Sequence, residues 1–503
     1  MKLSVARHFM LVSLALTLAH SAWSKSPGPL QNQLLDHPAP YLALHGEDPV
    51  AWQEWGEPVV ARARGENRIL MISVGYFSCH WCHVMQAESY RDPEIAEFLN
   101  THFLPVKVDR ELEPALDSRL MDFTQRILGR GGWPLNVFVT PEGHPVYSVL
   151  YAPPGEFLSV LKRMQEVWFK DAAGVRELVA VEEASNYPDV PPILEEQVLS
   201  NLLEASIPGI LSRADTLEGG FGEQQKFPSV PQLRYLLEAY KIQADEKSKA
   251  FLELTLSAMA NNGLYDHLAG GFFRYAVDPG WEIPHFEKML YDNAELAGLY
   301  LDAGRAFGRP DLEAIGHQTL TFIIENMWRD SSGFISSFSA VDEQDVEGGN
   351  YLWSLEQMSE VLDQEELSLA SEVWNLDRPS ELPAGNHLRF AVSLDQYAEN
   401  HDQTPESVSE RYLEIRRKLL EARNQRKLPE DDKLLASWNA MALSTLARAA
   451  DHYPDREYES YASALRDSIV NAFITENGVR RSFAKGRPLG TPALEDYAYI
   501  VRA

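Results

Sequence analysis

Cys79 and Cys82 are the only cysteines in 503 residues, and they stand together as Cys79-His80-Trp81-Cys82. Two thiols in a C-x-x-C can exchange a disulfide with a partner, one attacking and the other resolving. They follow Arg68 to Val74, a short apolar run with the pattern of a buried strand, and they open a helical stretch from about Cys82 to Tyr90. A thiol at a helix N-terminus meets unpaired backbone N–H groups and the positive end of the helix dipole, which stabilises its thiolate. Cys79, the more exposed by position, is expected to attack, and Cys82, a turn inside the helix, to resolve. His80 and His83 add positive charge when protonated, and Trp81 lies between the sulfurs. Three other chemistries use the same residue types. Cys79 to His83 also reads C-x-x-C-H, a haem-attachment pattern. Cys79, His80, Cys82 and His83 are zinc-ligand types, although four ligands within five residues surround one metal poorly. A merely structural disulfide would close so short a loop that it adds little stability. Thiol–disulfide exchange is the leading reading, with no metal and no cofactor expected.

The elements around the motif follow from apolar spacing and turn residues. A helical stretch is expected from Ala51 to about Gly65. Asp92-Pro93-Glu94 starts another helix through Asn100, with Asp as N-cap and Pro at the first helical position. A strand over 104–108 and a helix over 114–127 come next, then a glycine turn over 129–132 and Trp133-Pro134. Strands over 135–140 and 146–151 are joined by Pro141-Glu142-Gly143. Pro134, just ahead of a strand, has the position of a cis-proline set against the two sulfurs. A helix over 155–169 and a Pro-containing acidic linker over 171–192 end this region. From 193 to 503 helices follow in series, at 194–213, 231–245, 248–262, 288–306, 310–327, 355–363, 405–423, 433–450 and 455–474. Gly219-Gly220-Phe221 and Gly270-Gly271-Phe272 recur after helices, a weak repeat that suggests stacked hairpins.

The chain is too long for one core, which stops growing at about 250–300 residues. With 45% hydrophobic and 24% charged residues it has an ordinary globular composition. Its 45 basic and 74 acidic residues leave a net charge of -29, a surface that repels nucleic acid. Lys2, Arg7, the apolar run from Phe9 to Ala19 and the small residues of Ala22-Trp23-Ser24 predict a secretory signal over 1–24. That run is shorter than the roughly 20 residues that span a bilayer, so the expected protein is periplasmic or secreted, with no membrane contact after cleavage.

Several longer motifs carry a family resemblance. Asn32-Gln33-Leu34, Ala39-Pro40-Tyr41-Leu42, Ser73-Val74-Gly75-Tyr76, Ser78 to Met85, Lys107 to Glu111 and Gly131 to Val137 resemble the N-terminal domain of the spermatogenesis-associated protein 20 family. Lys226-Phe227-Pro228, Tyr265 to Leu268, Arg274-Tyr275, Pro284 to Asn293, Asp431 to Lys433, Ser437-Trp438-Asn439 and Leu494 to Ala498 resemble its second domain. The resemblance implies an α/β thioredoxin-like domain over 25–170 and an all-α (α/α) toroid of the six-hairpin glycosidase kind over 193–503. It implies Cys79, Cys82, Pro134, His80 and Trp81 as the redox site. Leu112-Glu113-Pro114 and Ala340 to Asp345 depart from the family pattern, and the family continues past the point where this chain stops at Ala503, which leaves the ring open or the chain a fragment.

In a toroid, loops at one end line a funnel where aromatic faces stack on sugar rings and carboxylates move protons. Asp266, His267, Trp281, His285, Glu287, Tyr291 and Asp292, with Trp438 and Asp496 from later hairpins, are the residues expected there. The same residues also suit a polar network that merely ties loops. Two functions follow. One is a thiol–disulfide oxidoreductase with a protein disulfide or dithiol partner. The other is a carbohydrate-active or carbohydrate-binding toroid with a regulatory thioredoxin-like domain.

Overall fold

The computed structural model describes residues 28–186, 196–329, 332–380 and 382–503. The predicted signal over 1–24 lies outside them, as does the 187–192 part of the predicted linker.

The N-terminal domain is built on a five-stranded sheet of order β1-β3-β2-β4-β5. Its strands are β1 (Gln53–Glu54), β2 (Leu70–Gly75), β3 (Leu104–Asp109), β4 (Leu135–Val139) and β5 (Pro145–Val149). β1, β3 and β2 run parallel, while β4 and β5 are antiparallel. Every residue of β2, β3 and β4 is buried, because helices cover both faces. Leu70, Ile72, Val74, Val106 and Val108 face α2 (Glu57–Glu66) and α5 (Pro114–Leu128), through Val59, Ala63, Leu120 and Phe123. Each such aliphatic burial contributes about 1.5–3 kcal/mol. On the other face, Met71 and Phe138 meet α3 (His80–Met85), α4 (Pro93–His102) and α6 (Pro154–Asn186). A short α1 (Pro40–Leu44) precedes these elements.

The expected cap of α4 is present: the Asp92 carboxylate accepts from Ile95 N at 3.0 Å, with Pro93 in the first turn. Two expectations need adjusting. The helix predicted from Ala51 begins at Glu57, because Gln53 and Glu54 pair with Val106 and Lys107 as an edge strand. The predicted linker is helical as far as Asn186, continuing α6 past a non-helical break at Asp171.

The second domain is an (α/α) toroid-type array. After α7 (Glu196–Leu211) come α8 (Val230–Gln243) with α9 (Glu246–Asn261), and α10 (Leu290–Phe307) with α11 (Pro310–Phe322). An excursion of α12 (Leu355–Ser359), α13 (Gln364–Val373), α14 (Leu394–Asn400) and α15 (Pro405–Arg423) builds a core of its own around Trp353, Trp374 and Leu419. The array resumes with α16 (Ala436–His452), α17 (Tyr458–Phe473) and α18 (Leu494–Arg502). α8, α10, α16 and α18 are successive neighbours in an inner layer, backed by α9, α11 and α17. The glycine repeat has a physical basis: Gly219, Gly220, Gly270 and Gly271 all have φ between 71° and 80°. Space is also short, since a Cβ on Gly271 would come within 2.5 Å of the Phe322 ring. Among the described residues no helix is long and apolar enough to cross a membrane.

Candidate functional site

Cys79 caps α3, and the Cys82 N–H donates to its sulfur at 3.2 Å. Their Cα atoms are 5.3 Å apart, within reach of a disulfide. Cys79 is 3% exposed and Cys82 1%, so both residues are buried. Val74 pairs with Leu135, which sets Pro134, after a cis Trp133–Pro134 peptide, beside the end of β2 from which the motif departs. Gly75 is needed there: its Cβ would lie 2.8 Å from Cys82 Sγ and 2.1 Å from Tyr41 Oη. Beneath the motif Lys107 is fully buried. Its ammonium bonds Ser73 Oγ at 3.0 Å and lies over the rings of Tyr90, Trp52 and Tyr41 at 4.4, 5.0 and 5.3 Å. Burial, only partly offset by Asp48, pushes its pKa down to about 7.

The second predicted cluster is not separate from the first. Tyr76, three residues before Cys79, donates to both carboxylate oxygens of Glu287 at 3.0 Å. Arg274 reaches the same Tyr76 hydroxyl and bonds Glu287 at 3.0 Å. Ser78 Oγ meets Met289 Sδ at 3.3 Å, and Ala340 N donates to Ser78 O at 3.4 Å. The His80 and His285 rings are 5.8 Å apart, and Glu347 stands 3.5 Å from His80 and 3.6 Å from His285. The loops of the helical domain thus close over the C-x-x-C end of the sheet.

Electrostatics separates the two acids of this junction. Against the cost of burial, Arg274 and His285 hold the Glu287 carboxyl below its usual range. Asp292 is pushed up to about 7 by burial and by the neighbouring Glu287, which Arg274 does not offset. An ionised and a protonatable carboxyl side by side are the makings of a base and an acid. Burial, with a contribution from His285, lowers His80 despite Glu347. The Tyr291 and Trp438 rings lie 4.7 Å apart in a tilted arrangement, so Trp438 belongs to this neighbourhood.

The remaining predicted residues sit elsewhere. Asp266 is buried in an ion network with Lys288 at 2.6 Å and Arg423 at 2.9 Å. His267 bonds Asn262 O at 3.0 Å, and Trp281 bonds Glu218 O at 2.9 Å. Asp496 takes Arg481 at 2.8 Å and caps the first turn of α18 through Ala493 N. These four hold loops and helix ends together. Among the described residues Asp109, Glu111 and Asp431 gather in a way that could hold a cation, but Lys433 fills that place, 3.2 Å from Asp109, 2.6 Å from Glu111 and in contact with Asp431. Tyr76, Arg274 and Glu347 were not singled out as site residues from sequence. Tyr76 and Arg274 lie 198 positions apart, and no local spacing reports that they meet.

An uncharacterized protein of Caenorhabditis elegans is 30% identical over 94% of this chain and 70% of its own length. Human spermatogenesis-associated protein 20 is 31% identical over 95% of this chain and 67% of its own. The chain belongs to the spermatogenesis-associated protein 20 family. Residues 31–184 match the Thioredox_DsbH family, described as a protein of unknown function, DUF255, in keeping with the thioredoxin-like fold of this stretch. A family 76 glycoside hydrolase from a bovine Bacteroides thetaiotaomicron strain shows a slight likeness, with 10% identity, 61% of this chain and 50% of that one covered, and a TM-score of 0.37.

Proposed function

We propose that this chain is an exported thiol–disulfide oxidoreductase whose dithiol works at the junction of its two domains. The observation that carries this reading is the placement of Cys79 as the cap of α3, its Cα 5.3 Å from that of Cys82, just past the end of β2 where Leu135, after the cis Trp133–Pro134 peptide, pairs with Val74. The leader sequence before Lys25 supports export. In the reducing direction the Cys79 thiolate attacks a substrate disulfide, forming a mixed disulfide and releasing one substrate thiolate. Cys82, deprotonated, then attacks Cys79 Sγ, releasing the second thiolate and leaving both electrons with the substrate. The reverse sequence oxidises a substrate dithiol, and an external dithiol or disulfide couple resets the pair. Cys82→Ala should accumulate a mixed-disulfide partner visible by mass spectrometry after acid trapping, and Cys79→Ala should not. No adduct, together with no exchange by the unaltered chain on a model disulfide, would overturn the reading.

A second reading rests on Glu287 and Asp292, whose acidities are driven apart. In it the toroid acts on or binds a carbohydrate and the dithiol regulates it. Loss of oligosaccharide binding or hydrolysis on Asp292→Ala, with no effect of Cys79→Ala under reducing conditions, would favour it.

A further inference from the structure

Tyr41 stands on α1, which packs on β3, and it is 1% exposed, yet its hydroxyl has no hydrogen-bond partner. A buried hydroxyl without a partner is costly and uncommon, and it marks a place where an acceptor is missing. The gap it borders is the one kept open by Gly75, where a Cβ would fall 2.1 Å from Tyr41 Oη and 2.8 Å from Cys82 Sγ. The hydroxyl and the Cys82 sulfur therefore border one small space. The two sulfurs are served differently: Cys79 Sγ accepts the Cys82 N–H at 3.2 Å, whereas the donor at hand for Cys82 Sγ is the Tyr41 hydroxyl. Burial, with Tyr90, Asp109 and Asp48 nearby, holds the Tyr41 proton well above the usual acidity of a phenol, so this group donates and does not ionise.

We propose that the Tyr41 hydroxyl is the hydrogen-bond donor that stabilises the Cys82 sulfur as a thiolate once it is no longer bonded to Cys79. The inference rests on the thiol–disulfide reading and adds a residue to it. With the sulfurs joined, Cys82 Sγ carries no charge and needs no donor. Once they part, Cys82 must ionise in a dry place to act, and a buried anion survives there only with a hydrogen bond or an opposite charge. The Cys82 thiolate then forms the bond to Cys79 Sγ as the bond from Cys79 to the substrate sulfur breaks, and that electron pair leaves with the substrate thiolate. The proton given up by Cys82 goes to solvent, and Tyr41 keeps its own. Several charged or titratable groups surround the pair. Lys107 and Asp109 come from β3, His45 and Asp48 from the loop after α1, and Tyr90 from the turn after α3. His80 and His83 lie on α3 itself, with Glu287 and Glu347 of the second domain acting on them. Burial keeps His45 neutral, with a pKa down to about 3, while Lys107, at about 7, titrates near neutrality. All of these remain in Tyr41→Phe, so a difference between the two chains isolates the hydroxyl.

The test equilibrates the full chain and Tyr41→Phe with reduced and oxidised dithiothreitol, a small couple, across a series of pH values. Acid quenching, alkylation of the unfolded chain and mass spectrometry give the ratio of disulfide to dithiol. At the acid end, where Cys82 is a thiol in both, the two chains should coincide. Above the pH at which Cys82 ionises, Tyr41→Phe should lie about tenfold further toward the disulfide, which is about 30 mV for this two-electron couple. Coincident profiles at every pH would overturn the inference, and so would a constant offset at every pH, which is the mark of altered packing. Urea unfolding of the oxidised chains supplies a second measurement: Tyr41→Phe should be at least as stable as the unaltered chain, because it removes a hydroxyl that has no partner there. A less stable oxidised variant would show that the hydroxyl already has a partner and would overturn the inference. A pair that never exchanges with dithiothreitol in either chain would remove the thiol–disulfide reading, and this inference with it. Exchange with coincident profiles would leave that reading standing and remove Tyr41 alone.

Discussion

Glu287 and Asp292 have nearly the same side chain and lie five residues apart, yet the fold treats them oppositely. Glu287 receives Tyr76 and Arg274 and is held ionised, while Asp292 takes the burial cost with a like charge beside it. The sign of the consequence follows from linkage. Asp292 has a folded-state pKa of about 7 against an ordinary value of 3.8, so between those pH values the folded chain keeps a proton that the unfolded chain releases. Stability through this residue is therefore full below pH 3.8 and falls as pH rises toward 7, by at most about 1.4 kcal/mol per pH unit. Asp292→Asn should remove that decline, seen as a difference between the two urea-unfolding profiles that opens across this window. A constant difference across it would refute the assignment.

At the scale of elements, the loop after β2 and the segment before α10 are joined by Tyr76, Arg274 and Glu287, all buried. Removing one member leaves its partners without compensation in a dry junction. Tyr76→Phe should cost about 1–3 kcal/mol for the lost hydrogen bonds. Glu287→Gln should cost more, about 3–5 kcal/mol, because the Arg274 charge is left uncompensated. Urea titration orders the two variants, and Glu287→Gln should also bring Asp292 back toward ordinary acidity, since a like charge has gone. The sequence shows only half of this junction. The motif strand, the helix opened by Cys79 and the Asp92 cap follow from apolar runs and cap residues, which are local. The sequence around β1 reads as helix because two residues of edge strand have no periodicity to show, and their pairing with β3 is a tertiary event.

Over the whole molecule the two domains share one hydrophobic core, in which Met71 and Phe138 of the sheet and Met289, Phe338 and Trp438 of the toroid are continuous. A buried ammonium also binds them: Lys433 of the second domain sits between Asp109 and Glu111 of the first and its own Asp431. Against the cost of burial the three carboxylates hold its charge, so its pKa lies well above the usual value. Lys433→Met should therefore destabilise by at least about 3–5 kcal/mol and turn a single cooperative unfolding transition into two, separable by calorimetry. One unchanged transition would show that the domains are not coupled through this residue.

The sequence by itself determined what is local or compositional. It showed one dithiol at the junction of strand and helix, a proline ahead of β4, helices in series with repeating glycine pairs, and an acidic surface unsuited to nucleic acid. It also suggested two sites, one per domain. Only the tertiary structure decided that His80, Tyr76 and Ser78 face His285, Glu287 and Met289, and that Asp266, His267, Trp281 and Asp496 serve loops and helix ends. The physical reason is that residue type reports what a group can do, whereas its acidity and partners depend on burial and on charges brought in from about two hundred residues away in the chain.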